Sequence, residues 1–249
     1  MISYMKLLID QGNTKIKLAI FENGEMINFF TTSNLSKEEF YFFIENKEFS
    51  KIIYASVAKM PVFLAEYCAK FAINIKSLVQ KNSDNQNKLE NIYGFYDALG
   101  SDLLAIAICA NHLCKNKPTL NISMGSCITY EIIEASGEFI GVAISPGIMM
   151  RAKSLNSFTN SLPLIDINKE LQNNSLSTLE FATNTTNAIL KGVISGIEGE
   201  LQKNIHDFKT KYPTGKIFIT GGDAHYFSSI PKTNVVDNMV LQGLNLIGN

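Results

Sequence analysis

With 249 residues, 46% of them hydrophobic and 18% charged, the chain can bury one large core or two of moderate size. A formal net charge of −1, a pI near 6.3 and the lack of tryptophan give no electrostatic or stacking basis for a nucleic-acid or anionic-membrane partner. No apolar run approaches the ~18 to 20 residues that span a bilayer, and Lys6 and Asp10 interrupt any signal-like core, so a cytoplasmic protein is expected. Cys68, Cys109, Cys114 and Cys127 show no C-x-x-C spacing, and His112, His206 and His225 are scattered. That pattern fits buried free thiols in a reducing compartment better than a zinc site.

Residues 6–9, 16–21 and 25–31 read as three strands, the last two joined by an Asn23-Gly24 hairpin turn. The first strand runs into Asp10 and then a Gly12-Asn13-Thr14 bend. Glycine there permits a positive φ and close backbone approach, and Thr14 with the turn N–H groups can face phosphate oxygens. Asp10 at the strand end can hold a hydrated Mg²⁺. A surface hairpin whose Asp and Asn merely favour turns accounts for the same residues. Ser36 with Glu39 forms a capping-box signature opening a helix, 51–57 reads as a strand, and Pro61 suits the first turn of a helix reaching 71. Residues 81–91 are polar and Asn-rich, hence a loop. The segment from Tyr93 to Asp102 leads into 103–113, an all-round apolar helix that should be central and buried. Asp102 at its mouth can orient the proton of an attacking hydroxyl, or simply cap the helix. A hinge at 115–118 divides the chain into halves 1–115 and 116–249.

Residues 119–144 repeat the opening. An offset of 113 aligns Asp10 with Ser123, Gly12 with Gly125, Gly24 with Gly137 and Ile27 with Ile140, without a gap. Two strand–turn–strand units in register predict an internally duplicated fold. Ala143 to Gly147 closes the third strand of the second unit; 156–177 reads as a loose stretch; Asn184 to Asn187 caps a long helix carrying Gly192 and Gly196 on one face. Residues 216–220 form a strand ending in Gly221-Gly222, and 239–247 a terminal helix. Glycine turns at Gly12, Gly125 and Gly221-Gly222 all follow apolar strands, so a nucleotide between duplicated halves would meet all three. Neither a G-x-x-x-x-G-K-[ST] nor a G-x-G-x-x-G fingerprint is present.

Asp10-x-Gly12-Asn13-Thr14, then Tyr93…Leu99-Gly100-Ser101-Asp102, then Gly125-Ser126 resemble the ordered motifs of type III pantothenate kinases. Ser145-Pro146-Gly147, Asn184-Thr185…Ala188…Gly192, Thr220-Gly221-Gly222 and Leu241-x-Gly243-Leu244 extend the resemblance over nearly the whole chain. It implies an α/β fold of two duplicated ribonuclease-H-like domains with a nucleotide cleft between them, the actin-like ATPase fold shared with acetate and sugar kinases and Hsp70. The implied activity is ATP-dependent phosphorylation of pantothenate to 4′-phosphopantothenate, the first step of coenzyme A biosynthesis, by a homodimer whose contact could include the Gly192/Gly196 face. By the same resemblance ATP would meet Asp10, Gln11, Gly12, Asn13, Thr14, Lys15, Ile16 and Lys17 from one half, with Gly125, Ser126, Gly221 and Gly222 from the other. Asp102 would be the general base, and Tyr93, Gly100, Ser101, Asp102, Leu103 and Thr185 would line the substrate pocket. Asp10 would hold Mg²⁺, and Ser123 stands at the position of a monovalent-cation ligand for K⁺ or NH₄⁺.

Three positions depart from the family pattern. Leu103 stands where an arginine grips the substrate carboxylate, Ser123 where an aspartate helps bind the monovalent cation, and Tyr96 where the substrate loop has proline. A leucine cannot make a charge-assisted pair, and Ser123 offers only a neutral oxygen. These departures keep two rival readings open: a catalytically degenerate, nucleotide-binding accessory protein, and a kinase of another hydroxylated substrate.

Overall fold

The computed structural model describes residues 4–77, 99–173 and 182–247; Tyr93, Tyr96 and the 81–91 loop lie outside them. The first elements are β1 (Met5–Gln11), β2 (Ile16–Glu22), β3 (Glu25–Thr32), α1 (Lys37–Ile44), β4 (Lys51–Ser56), α2 (Val62–Phe71), β5 (Ile73–Asn74) and α3 (Ser101–Leu113). After them come β6 (Thr119–Met124), β7 (Cys127–Ile133), β8 (Phe139–Pro146), α4 (Ile148–Ser157), α5 (Ile167–Asn173), α6 (Thr185–Lys211), β9 (Lys216–Thr220), β10 (Asn234–Val235) and α7 (Met239–Ile247). The chain forms two compact units: Met1–Thr119 with Ile133–Ile140 and Asn238–Asn249, and Leu120–Ile132 with Gly141–Asp237. The chain crosses between the units more than once, and the C-terminal helix belongs to the first.

In the first unit the sheet order is β3-β2-β1-β4-β5, with β1–β2 and β2–β3 antiparallel and β1–β4 and β4–β5 parallel. Period-two alternation sends Leu7 and Ile9 of β1, with Ile16, Leu18 and Ile20 of β2, into a core shared with Phe40, Phe43, Leu64 and Cys68 from α1 and α2. Ser36 opens α1 with the capping box read from sequence: its Oγ accepts from Glu39 N–H at 3.1 Å, and its own N–H donates to Glu39 Oε2 at 2.9 Å. The opposite face of β1 carries Lys6, Leu8 and Asp10; α7 packs on β1, and α3 packs on α7 and the neighbouring β4. Helix α3 is buried from Leu103 through Ala110, as its uniformly apolar sequence requires. Gly243 lets α7 lie against it, since a Cβ at that position would sit 1.9 Å from Ala105 O.

The second sheet runs β8-β7-β6-β9-β10, the same order read from the same edge. Gly24 and Gly137 share a φ of +91°, but their loops differ: Asn23 beside Gly24 is left-handed too (φ +51°) in a tight hairpin, whereas Gly137 closes a longer loop in which its N–H donates to Glu134 O at 2.9 Å. Leu120, Ile122 and Met124 of β6 and Ile128 and Tyr130 of β7 join a core with Ile189, Val193, Ile197 and Leu201 of α6. The stretch 156–177 is not uniformly loose. Ile167 and Leu171, four apart, are buried in this core and fold 167–173 into α5, with Asp166 Oδ1 accepting Lys169 N–H at 3.3 Å. Two apolar residues in a polar run carry too weak a period to be read from sequence.

Candidate active site

In the first unit the carboxyl ends of the parallel strands β1 and β4 meet the N-terminus of α3. Gln11 pairs with Ser56 across the strands, Val57 N–H donates to Gln11 O at 3.0 Å, and Ser101 Oγ reaches Ser56 O at 3.4 Å. Open α/β sheets gather ligands outside such strand ends. Asp10, 5% exposed, faces its antiparallel partner Lys17, whose Nζ lies 3.2 Å from Oδ2. Burial raises the Asp10 pKa; Lys17 pulls it down by charge and hydrogen bond, and nearby Asp102 pushes it up again. Asp102 is raised as well, by burial first, against the opposing pull of the Leu103 N–H, its own N–H, Lys17 and Lys76. The Leu103 N–H donates to Asp102 Oδ1 at 2.9 Å. Asp10, Lys17 and Asp102 thus form one electrostatic cluster: two carboxylates with elevated proton affinity and a lysine acting on both.

Glycines position this cluster by size. Gly12 does not have a positive φ, contrary to the sequence reading; instead its N–H donates to Lys15 O at 3.0 Å and a Cβ would meet that oxygen at 3.2 Å. A Cβ on Gly100 would fall 2.5 Å from Asp102 Oδ1, so the carboxyl occupies the space a side chain would need. Asn13, Thr14 and Lys15 are exposed at the bend, whereas Ile16 is buried among the core residues and contributes packing. Leu103 is buried too, at 7% exposure, which fits its apolar side chain.

The second unit holds the matching turn. Gly125 N–H donates to Cys127 O at 3.0 Å, one residue tighter than at Gly12, and Ser123, Gly125 and Ser126 are half-buried. Gly221 (φ +102°) and Gly147 press on this turn: a Cβ on Gly221 would lie 2.2 Å from Met124 O, and one on Gly147 2.2 Å from Gly125 O. Gly147 N–H donates to Ser126 O at 3.1 Å, and Asp223 N–H to Met124 O at 3.1 Å. Gly222 is exposed beside them. Thr185 is exposed in the first turn of α6, which Asn184 caps by accepting Asn187 N–H at 2.9 Å.

The sequence-read residues therefore include two groups, Asp10 to Lys17 with Gly100 to Leu103 in the first unit, and Ser123 to Ser126 with Gly221 in the second, which also carries Thr185 at a helix start. Sequence reasoning missed a polar cluster of Ser145, Arg151 and Glu200, although Arg151 is the single arginine of the chain. Among the described residues no group of three His, Cys, Asp or Glu could hold a metal by itself, and no helix is long and apolar enough to cross a membrane.

The twice-used sheet order, with a glycine turn at the end of the first strand of each sheet, defines the actin-like ATPase fold of two ribonuclease-H-like halves. A Campylobacter jejuni structure described as a Baf family transcriptional activator aligns over 97% of this chain and 96% of its own, at 22% identity and a TM-score of 0.60. The activator of 2-hydroxyisocaproyl-CoA dehydratase from Clostridium difficile, with bound ADPNP, aligns over 98% and 93% at 12% identity and a TM-score of 0.53. The family profile for type III pantothenate kinase matches residues 6–207. The type III pantothenate kinase of Phocaeicola vulgatus is 34% identical over 245 residues, 98% of this chain and 97% of its own. The chain belongs to the type III pantothenate kinase family, phosphotransferases that phosphorylate pantothenate with ATP and an associated divalent metal in coenzyme A biosynthesis.

Proposed function

We propose that this chain transfers the γ-phosphoryl group of ATP to the 4′-hydroxyl of pantothenate, with Asp102 as general base. The observation that carries the assignment is the Asp10–Lys17–Asp102 cluster at the strand ends. Raised proton affinity brings a carboxylate closer to neutral pH, where it accepts a hydroxyl proton more effectively. In-line transfer needs positioning and charge neutralisation more than covalent help. Asp10 to Lys17, with Gly125, Ser126, Gly221 and Gly222, bind ATP; Gly100, Ser101, Asp102 and Thr185 bind pantothenate.

Asp10 fits Mg²⁺: a single buried carboxylate beside exposed turn N–H groups suits a cation that takes one or two carboxylates and completes its shell with phosphate oxygens. When bound, Mg²⁺ neutralises charge developing on the transferred phosphoryl group. Ser123, half-buried and neutral, lacks the charge a K⁺ or NH₄⁺ site would use, so no step depends on such an ion. Leu103 being apolar, we assign the substrate carboxylate to Lys76, whose charge acts on Asp102 within the same unit. The protein works in the cytoplasm as a homodimer, which sedimentation would show at twice the 27.6 kDa chain mass.

Purified protein with Mg-ATP should release ADP only when pantothenate is added, and Lys76→Met should raise KM for pantothenate while leaving that for ATP unchanged. ADP release indifferent to pantothenate would sink the kinase assignment, and an unchanged pantothenate KM in the variant would remove Lys76 from it.

A further inference from the structure

The chain spends its one arginine away from the carboxylate cluster. Arg151, on the first turn of α4, pairs with Glu200 of α6 through Nη2. Its Nε donates to Pro146 O at 2.8 Å, and Nη2 also reaches Ser145 Oγ at 3.4 Å. Ser145 Oγ in turn donates to Glu200 Oε1. Gly196, one turn before Glu200, lies beside the guanidinium: a Cβ there would meet Nη1 at 3.5 Å, an ordinary contact. Burial would raise Glu200, but hydrogen bonds from Ser145 and Arg151 outweigh it and hold the carboxylate below its ordinary value, so it stays ionised. Tyr130, buried on β7, interacts with Glu200 and Ser145, and its hydroxyl is held above its ordinary pKa by burial first and by Glu200 next.

What the cluster grips is the end of β8. Ser145-Pro146-Gly147 follows directly into α4, and Gly147 is the residue whose N–H bonds Ser126 O and whose missing Cβ lets Gly125 O approach. The path from the long helix to the glycine turn is therefore continuous: Glu200 to Arg151, Arg151 to Pro146 O, Gly147 to Ser126. Arginine suits this post because its planar fork engages a carboxylate and a carbonyl at once, which a lysine ammonium does not reproduce.

We infer that Arg151 and Glu200 are positioning residues for the reaction: they brace Ser145-Pro146-Gly147 against the Gly125-Ser126 turn and so fix where that turn meets the nucleotide. The inference rests on the reading that this turn binds ATP. Small misplacements of positioning groups cost up to about a hundredfold in rate, so a brace two bonds from the ligand is expected to show in nucleotide kinetics.

The test compares Arg151→Met, Arg151→Lys and Glu200→Gln with Ser126→Ala in the full-length protein, measuring KM for Mg-ATP, KM for pantothenate and thermal midpoint. Arg151→Met should raise KM for ATP by about tenfold with pantothenate KM unchanged. Arg151→Lys should restore little of the loss, while Glu200→Gln, which still accepts from the guanidinium, should fall between it and the wild type. Should Arg151→Met not fold, the Lys and Gln variants carry the same ordering. Wild-type ATP KM in the Arg151 variants, or equal rises for both substrates, would overturn the brace. If Ser126→Ala leaves ATP KM unchanged, the nucleotide reading of the turn fails instead. A raised ATP KM in Ser126→Ala with none in the Arg151 variants would count against the brace alone.

Discussion

Asp10 and Asp102 are costly to the fold. Both are held in surroundings that resist ionisation, burial being the first cause for each. Because their folded pKa values lie above the unfolded ones, they add no penalty below the unfolded pKa, and the penalty grows as pH rises through the folded values. Replacing Asp10 by Asn should therefore abolish transfer yet leave thermal stability at pH 7 equal or higher, since Lys17 is exposed enough to find water. Denaturation followed against pH should show that advantage shrinking as the solution is acidified and wild-type Asp10 takes its proton. A variant that loses stability at pH 7 would mean that the Lys17 pair outweighs the desolvation. For Asp102 the same shift appears in catalysis. A base must be deprotonated, so the acid limb of kcat/KM should lie above the usual carboxylate range, and a limb at or below that range would remove Asp102 from the role.

The elements impose their demands through glycine, and the consequences differ with what each glycine faces. At Gly100 the crowding atom is the end of a flexible side chain, so Gly100→Ala should swing the Asp102 carboxyl aside, lowering kcat with little change in thermal midpoint. At Gly243 the crowding atoms are the backbone of Ala105, so Gly243→Ala must push α7 off α3 and should cost about 2 kcal/mol in denaturant unfolding. A large stability loss at Gly100, or none at Gly243, would contradict the packing described. Strands, the capping box of α1 and the buried helix α3 were legible in sequence because local chemistry decided them: alternation, Ser36 with Glu39, and an uninterrupted apolar run. Helix α5 was not, because it folds on the strength of two buried side chains. Gly12 was read for a positive φ and a close backbone approach; it does not adopt the first, and its near neighbour, Lys15 O at 3.2 Å from the position of a Cβ, belongs to the same bend.

Taken whole, the molecule is a duplicated design in which the two copies have diverged. The offset that aligns Gly12 with Gly125 predicted an internally duplicated fold, and the repeated sheet order and the left-handed glycines at Gly24 and Gly137 agree with it. The copies differ in chemistry: the first keeps a carboxylate at its strand end, while the second has Ser123 and an external brace of Arg151 and Glu200. That brace joins residues 49 positions apart and a backbone carbonyl, a combination that no sequence motif announces. The most direct test of the account is a single-turnover experiment with γ-labelled ATP, Mg²⁺ and pantothenate, comparing wild type with Asp102→Asn. The label should appear in 4′-phosphopantothenate, and the variant should bind ATP normally while transferring about 10² to 10⁴ times more slowly. Label released only as inorganic phosphate, or transfer by Asp102→Asn at the wild-type rate, would contradict it.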